Sequence, residues 1–349
     1  MKIIVPCCGS SSRYPNLPPK WMLPDHAGRP MICEAVAKLD FHPTDLVVAI
    51  LREHERRFEV TAGLEAAFGF PVEVVILEEK TRSQSETVAK TLVQLRLEGP
   101  FLVKDSDNCF AIGQLDQPYN YVCFDSLNNH DLINPKNKSY LQMDTQGVIL
   151  NIREKMVISD TFSVGGYHFA DATTFLRYYT TLSTQAPHWE KELYISDIIA
   201  SMLLDGQPFQ GRPVANYEDW GTIHDWKRTL LRRKGYFILL DGFLFERGSE
   251  HFSPRYESVR PKDGAVEAVK RLRAQGHNII LLSTRPHRLA SMTRDQLAKL
   301  ELADLPVTYD CPVSRWELIT APYHGIPFRT SEAYELEPGT EELIEKLSQ

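Results

Sequence analysis

The sequence predicts an α/β protein: a mostly parallel sheet with helices on both faces, followed by a smaller α/β domain. Three observations predict it. Short apolar runs alternate with helix-like runs from the N-terminus to about residue 110, the pattern of a mostly parallel sheet covered on both sides. The alternation gives way to turn-rich sequence between about residues 116 and 225, then restarts near residue 233. The 349 residues are 43% hydrophobic and 24% charged, enough core material for two domains. Domains are therefore expected over residues 1–232 and 233–349.

The elements follow in order. KIIVPC is a strand, and PMICEAVAKL has helical periodicity. DLVVAIL is a buried strand, HERRFEVTAGLEAAFG a single helix, and PVEVVIL the next strand. SETVAKTLVQLRL is a helix with Ser85 and Glu86 in its first turn, and PFLVKDSDN is a strand ending in acidic residues. The short strands SYLQMD, VILNIREK and FSVGGYHF come next, then helices through ATTFLRYYTTL and YISDIIASMLLDG. DWKRTLLRRKGY reads as a solvated helix face leading out of the first domain. In the second domain, YFILLDGFLF and HNIILLST are strands, and DGAVEAVKRLRAQG and RLASMTRDQLAKL are helices.

Composition excludes several classes. A net charge of −7 argues against a nucleic-acid binder working by bulk electrostatics. The six cysteines, Cys7, Cys8, Cys33, Cys109, Cys123 and Cys311, show no CxxC spacing, so reduced thiols in a cytoplasmic protein are expected. The apolar run in MKIIVPCC is too short for a signal peptide, and no segment is long and apolar enough to span a bilayer, so no membrane partner is expected.

Ligands of parallel sheets bind outside the carboxyl ends of the strands. The loop IIVPCCGSSSRYPNLPPKWMLPDHAGRPMI leaves such an end. Small residues, Gly9 with Ser10, Ser11 and Ser12, let backbone N–H groups approach phosphate oxygens, and Arg13 and Lys20 add positive charge. Asp105 and Asp107, in VKDSDN, are hard oxygen donors suited to Mg²⁺ on phosphates. Asp219 in YEDWGT is a further candidate, or a turn residue. Glu154 and Lys155 are adjacent in NIREKMVIS, and a strand would send them to opposite faces unless it ends there.

Taken in order, these motifs resemble the sugar-phosphate nucleotidyltransferase family over about residues 1–230. Gly9, Ser12, Arg13, Pro19, Lys20, Gly28 and Pro30 follow its opening motif, with Ser11 where the family has its middle glycine. The resemblance implies a Rossmann-like, mostly parallel sheet. It implies that Cys8, Gly9, Ser10, Ser11, Ser12 and Arg13 wrap the triphosphate of an NTP, and that Lys20 steadies the α-phosphate. Asp107 and Asp219 would hold Mg²⁺ as cofactor, with Asp105 as helper on the nucleotide side. Gln84 and Ser85, in RSQSETVAKTL, would read the base. Glu154, Lys155, Gly166, Tyr167 and Glu192 would line the acceptor pocket, with Lys155 on the acceptor's phosphate.

GYFILLDGFLFERG with LLSTRP resembles the haloacid dehalogenase-like phosphatase fold. Aligned on Asp241 and Gly242, Leu239 stands at the nucleophile and Phe243 at the motif's Thr, while Ser283 suits the second motif. Thr330 and Ser331 stand where an acidic pair should close the site. Leucine cannot form an aspartyl-phosphate, so the second domain is expected to be a catalytically silent haloacid dehalogenase-like domain. Its expected roles are dimerisation into a homo-oligomer, support of the first domain, or docking of a pathway partner.

The expected function is transfer of an NMP from an NTP to a phosphorylated sugar, polyol or amino alcohol, with release of pyrophosphate. The forms EKMVIS and DWGT point to CTP, with UTP and GTP open. VGGYHF, YIS and DWGT look closest to the branch that makes surface polysaccharide precursors and related activated compounds. The alternatives are a non-catalytic nucleotide-sugar sensor or assembly protein, and a bifunctional nucleotidyltransferase-phosphatase.

Overall fold

The computed structural model describes residues 1–9, 17–25, 28–130, 135–185, 192–232, 234–246 and 255–312. The chain divides into two compact units, Met1–Lys227 and Arg228–Gln349.

The expected mostly parallel sheet is the centre of the first unit. Strand β1 (Lys2–Pro6) pairs in parallel with β2 (Leu46–Leu51), and β2 with β3 (Glu73–Leu77). On its other side β1 pairs in parallel with β4 (Phe101–Lys104). Beyond β4 the sheet continues through β9 (Thr161–Phe169), β6 (Asn120–Ser126) and β10 (Phe209–Pro213), and β9 runs antiparallel to both β4 and β6. β7 (Ser139–Met143) and β8 (Ile149–Glu154) form an antiparallel pair beside β9. A separate antiparallel ribbon joins β5 (Asn108–Ala111) to β11 (Ala215–Asp219).

Successive strand residues point to opposite faces, and here each face has its own core. Ile4, Val47 and Ala49 pack with α4 (Gln84–Leu95), α5 (Ala172–Gln185) and α6 (Ile195–Leu204) through Leu92, Phe175 and Ile199. Ile3, Val5, Val48 and Ile50 pack instead with α1 (Met31–Val36) and α3 (Val60–Phe68) through Ile32 and Leu64. Burial on both faces is what makes β2 an unbroken apolar run.

One helix was expected over HERRFEVTAGLEAAFG, and two are found. α2 (Arg52–Phe58) ends at Glu59, whose φ of 50° is left-handed, and α3 begins at Val60. The Glu55 carboxylate accepts from both N–H and Oγ of Thr61, each at 3.0 Å. It thereby satisfies a donor at the start of α3 that a continuous helix would have bonded itself. The break lets Val60 and Leu64 enter the core while Arg56 and Arg57 stay exposed. After β11 comes α7 (Ile223–Arg232), whose Trp226 donates from Nε1 to the Pro24 carbonyl at 3.0 Å.

In the second unit β12 (Gly235–Leu239), β13 (Asn278–Leu282) and β14 (Val307–Thr308) form a parallel sheet in that order. α8 (Asp263–Ala274) and α9 (Ala290–Lys299) pack on it through Val269, Leu272 and Leu297, against Ile238, Ile279 and Leu281. Among the described residues no helix is long and apolar enough to cross a membrane.

Candidate active site

The carboxyl ends of β1 and β4 open onto a cavity of about 1070 Å³ in the first unit. Gly9 lies on its wall where the described part of the opening loop ends, and Cys7 lines it too. Cys8 does not, because the alternation of β1 turns it into the core, where its Sγ lies 3.4 Å from the Ala49 carbonyl. Ser10, Ser11, Ser12 and Arg13 lie outside the described residues. The chain returns at a single 3₁₀ turn, Lys20–Met22, anchored by the buried Trp21. Lys20 Nζ donates to the Asp107 carboxylate.

The acidic turn after β4 is held from beneath. Lys104 is fully buried, and its ammonium donates to the Asp105 carbonyl at 2.6 Å, the Asn108 carbonyl at 2.8 Å and Asn108 Oδ1 at 2.7 Å. Burial lowers its pKa to about 8. Above it, Gln84 Nε2 donates to Asp105 Oδ1 at 2.5 Å, and the Asp105 N–H donates to the Gly165 carbonyl at 2.8 Å. Burial, and then the neighbouring Asp107, push the Asp105 carboxyl up to about 6.

The ribbon of β5 and β11 brings in the remote carboxylate. Asp219 stands opposite Asn108, and the Trp220 N–H donates to the Asp107 carbonyl at 2.7 Å. Asp219 Oδ1 accepts from Gly221 N–H at 3.0 Å and Oδ2 from Lys138 Nζ at 2.6 Å.

On the far wall, β8 ends at Glu154, and Lys155 turns out of it at a φ of 55°. Both side chains therefore line one cavity. Glu154 accepts from the hydroxyls of Ser139 and Ser196. Lys155 Nζ donates to Tyr194 OH at 2.6 Å and lies 4.5 Å from the ring centroid. Glu192 and Tyr167 complete this side, and burial holds the Tyr167 phenol well above its usual range.

Two further expected residues, besides Cys8, face elsewhere. Gly166 packs against Phe110 and Cys123, where any Cβ would collide. Its neighbour Gly165, at a φ of 78°, is the one against Asp105, and a Cβ there would strike the carboxylate. Ser85 is fully buried, donating to the Leu193 carbonyl at 2.6 Å, while Ser83 and Gln84 reach the cavity. Lys138, Lys104 and Tyr194 escaped the sequence reading. A lysine inside the apolar run FLVK was a usable signal for Lys104. Lys138 lies in a turn-rich stretch with no periodicity to single it out.

In the second unit Leu239 ends β12, and Asp241 beyond it is bound on both oxygens. Ser283 Oγ donates at 3.0 Å and the fully buried Arg285 from Nε at 2.8 Å. Thr330 and Ser331 lie outside the described residues. Five of the six cysteines are free and buried, and Cys311 is a partly exposed free thiol. Burial pushes Cys8 up to about 12 and Cys33 to about 11, which leaves them as thiols.

No family model and no curated protein matches the chain in sequence. Solved structures do match. The nucleoside-diphosphate-sugar pyrophosphorylase from Vibrio cholerae RC9 is 21% identical, with 66% of this chain and 99% of that one covered at a TM-score of 0.55. The inositol-1-phosphate CTP transferase from T. maritima is 12% identical over 65% and 94%, at a TM-score of 0.53. A UDP-glucose pyrophosphorylase, solved with UDP-glucose, is 16% identical over 66% and 97%, at 0.50. The likeness is one of fold: the N-terminal two thirds of this chain is built as these nucleotidyltransferases are.

Proposed function

We propose that the first unit transfers an NMP from an NTP to a phosphorylated small-molecule acceptor and releases pyrophosphate. One observation carries this reading. Five segments distant in sequence bring Lys20, Gln84, Asp107, Glu154, Lys155 and Asp219 to the wall of a single cavity, in a fold shared with such enzymes.

The division of labour follows from charge. Lys20, within reach of the Asp107 carboxylate, is the cation for the α-phosphate, and Arg13 belongs on the same triphosphate. Gln84, fixed by Asp105, faces the base. Lys155 is poised for the acceptor's phosphate, and Glu154 and Glu192 for its hydroxyl or amine groups. The acceptor's phosphate oxygen attacks the α-phosphorus, the bond from that phosphorus to the bridging oxygen breaks, and pyrophosphate carries away the electron pair. The nucleophile is already anionic at neutral pH, so no strong base is needed. Positioning and charge neutralisation supply the catalysis.

Mg²⁺ is the proposed cofactor. Among the described residues no three His, Cys, Asp or Glu side chains gather into a metal cluster. The donor set fits an ion that brings most of its own ligands. Asp107 and Asp219 are hard oxygen donors, and each already holds a lysine ammonium as a stand-in cation. Mg²⁺ typically binds through one or two carboxylates plus substrate phosphates and water, and it would neutralise charge on the leaving pyrophosphate.

We favour CTP, from EKMVIS and DWGT, and a phosphorylated sugar, polyol or amino alcohol used for surface polysaccharide precursors in the cytoplasm. The second unit is read as a haloacid dehalogenase-like domain without catalysis, serving homo-oligomer formation or support. Leu239 at the nucleophile position and the ion-paired Asp241 favour that reading. A matrix of four NTPs against phosphorylated sugars, polyols and amino alcohols, read by pyrophosphate release, tests the proposal. One productive pair is expected, and silence across the matrix would refute it.

A further inference from the structure

Lys138 precedes β7 and faces the cavity. Its ammonium donates to Asp219 Oδ2 at 2.6 Å and to Tyr217 OH at 2.7 Å. It also lies 5.2 Å from the Tyr217 ring centroid and 5.6 Å from that of Phe162. The Lys138 side chain is 11% exposed and that of Asp219 23%. The Lys138 carbonyl accepts from the Lys155 N–H at 2.9 Å, which fixes the lysine's backbone to the acceptor wall. An ammonium so placed neutralises the carboxylate and repels a second cation, and low solvent access strengthens both effects.

We propose that Lys138 is the resident cation of Asp219, occupying that carboxylate in the nucleotide-free protein so that a divalent ion binds weakly until nucleotide phosphates accompany it. The inference rests on the assignment of Asp219 as a metal-binding carboxylate. It makes Lys138 a positioning residue, which keeps a free divalent ion off Asp219 before nucleotide arrives and keeps Asp219 oriented.

The test is a Mn²⁺ titration of the full-length protein without nucleotide or acceptor, with free Mn²⁺ read by electron paramagnetic resonance. Lys138→Met is expected to tighten Mn²⁺ binding about tenfold or more over wild type. Lys138→Arg, which keeps the charge, should bind as weakly as wild type. The gain should vanish in Lys138→Met/Asp219→Asn. Unchanged or weaker binding in Lys138→Met, or a gain that survives in the double variant, would overturn the proposal. Should Lys138→Met unfold, Lys138→Gln carries the same expectation and the same refutation. Because the titration involves no turnover, a wild type that releases no pyrophosphate would remove the transferase reading without deciding this one.

Discussion

Lys20 and Asp107 meet in an ion pair, each brought there by a different loop. If Lys20 contacts the α-phosphate most strongly in the transition state, Lys20→Ala lowers kcat roughly 10²- to 10³-fold. Steady-state kinetics check this, and a change confined to KM would place Lys20 in ground-state binding. Asp107→Asn and Asp219→Asn should each abolish pyrophosphate release in protein that remains folded by circular dichroism, since the amide keeps the shape and removes the charge. Near-normal turnover in either variant, with Mg²⁺ present, contradicts their assignment. The sequence was most legible at this scale where residue chemistry alone identified a candidate: Lys20, Asp107, Asp219, Glu154 and Lys155 all line the cavity. It misled by one position where phase mattered. Neighbours on a strand face opposite ways, so Cys7 and Cys8 enter the cores on opposite faces of the sheet and only Cys7 also reaches the cavity, as Gly165 does and Gly166 does not. Nothing in VPCCG or SVGGY fixes that phase.

At the scale of elements, the site depends on the ribbon of β5 and β11 and on the turn between β4 and β5. Lys104 ties that turn through three oxygens. Lys104→Met would leave those acceptors buried without their donor, costing on the order of 3 kcal/mol, and would loosen Asp105 and Asp107. Urea unfolding should show the loss, with activity falling in the variant that remains folded; an unchanged midpoint would mean the clamp contributes nothing. Strand and helix periodicity made β1 to β4, β7 to β9 and the helices on them readable, whereas β6 and β10, which extend the sheet beyond β9, were not read. The pairing of β5 with β11 was not, because nothing local links Asn108 to Asp219. The split into α2 and α3 was also hidden: Glu55 caps α3 through a side-chain contact that no periodicity encodes.

At the scale of the molecule, the chain forms two compact units. Asp241 in the second is neutralised by the buried Arg285, which Thr293 and Gln296 also hold. Removing one partner of such a pair leaves a buried charge, so Arg285→Met should cost the second unit about 3–5 kcal/mol. Pyrophosphate release per folded molecule should persist, as two-phase unfolding with parallel kinetics would record. Loss of turnover in the folded variant would mean that the second unit takes part in the reaction. The restart of alternation near residue 233 made this unit legible as an α/β body. The partnering of Asp241 with Arg285 could not be read, since it joins residues on either side of β13 and the helix before it. The most direct measurement of the central claim is a ³¹P NMR spectrum of the full-length protein with CTP, Mg²⁺ and the phosphorylated acceptors. The account predicts pyrophosphate and a P¹,P²-disubstituted diphosphate, in which a phosphoanhydride joins nucleotide and acceptor, in equal amounts, with UTP and GTP as the next nucleotides to give them. Unchanged nucleotide with all four NTPs, or orthophosphate alone, would contradict it.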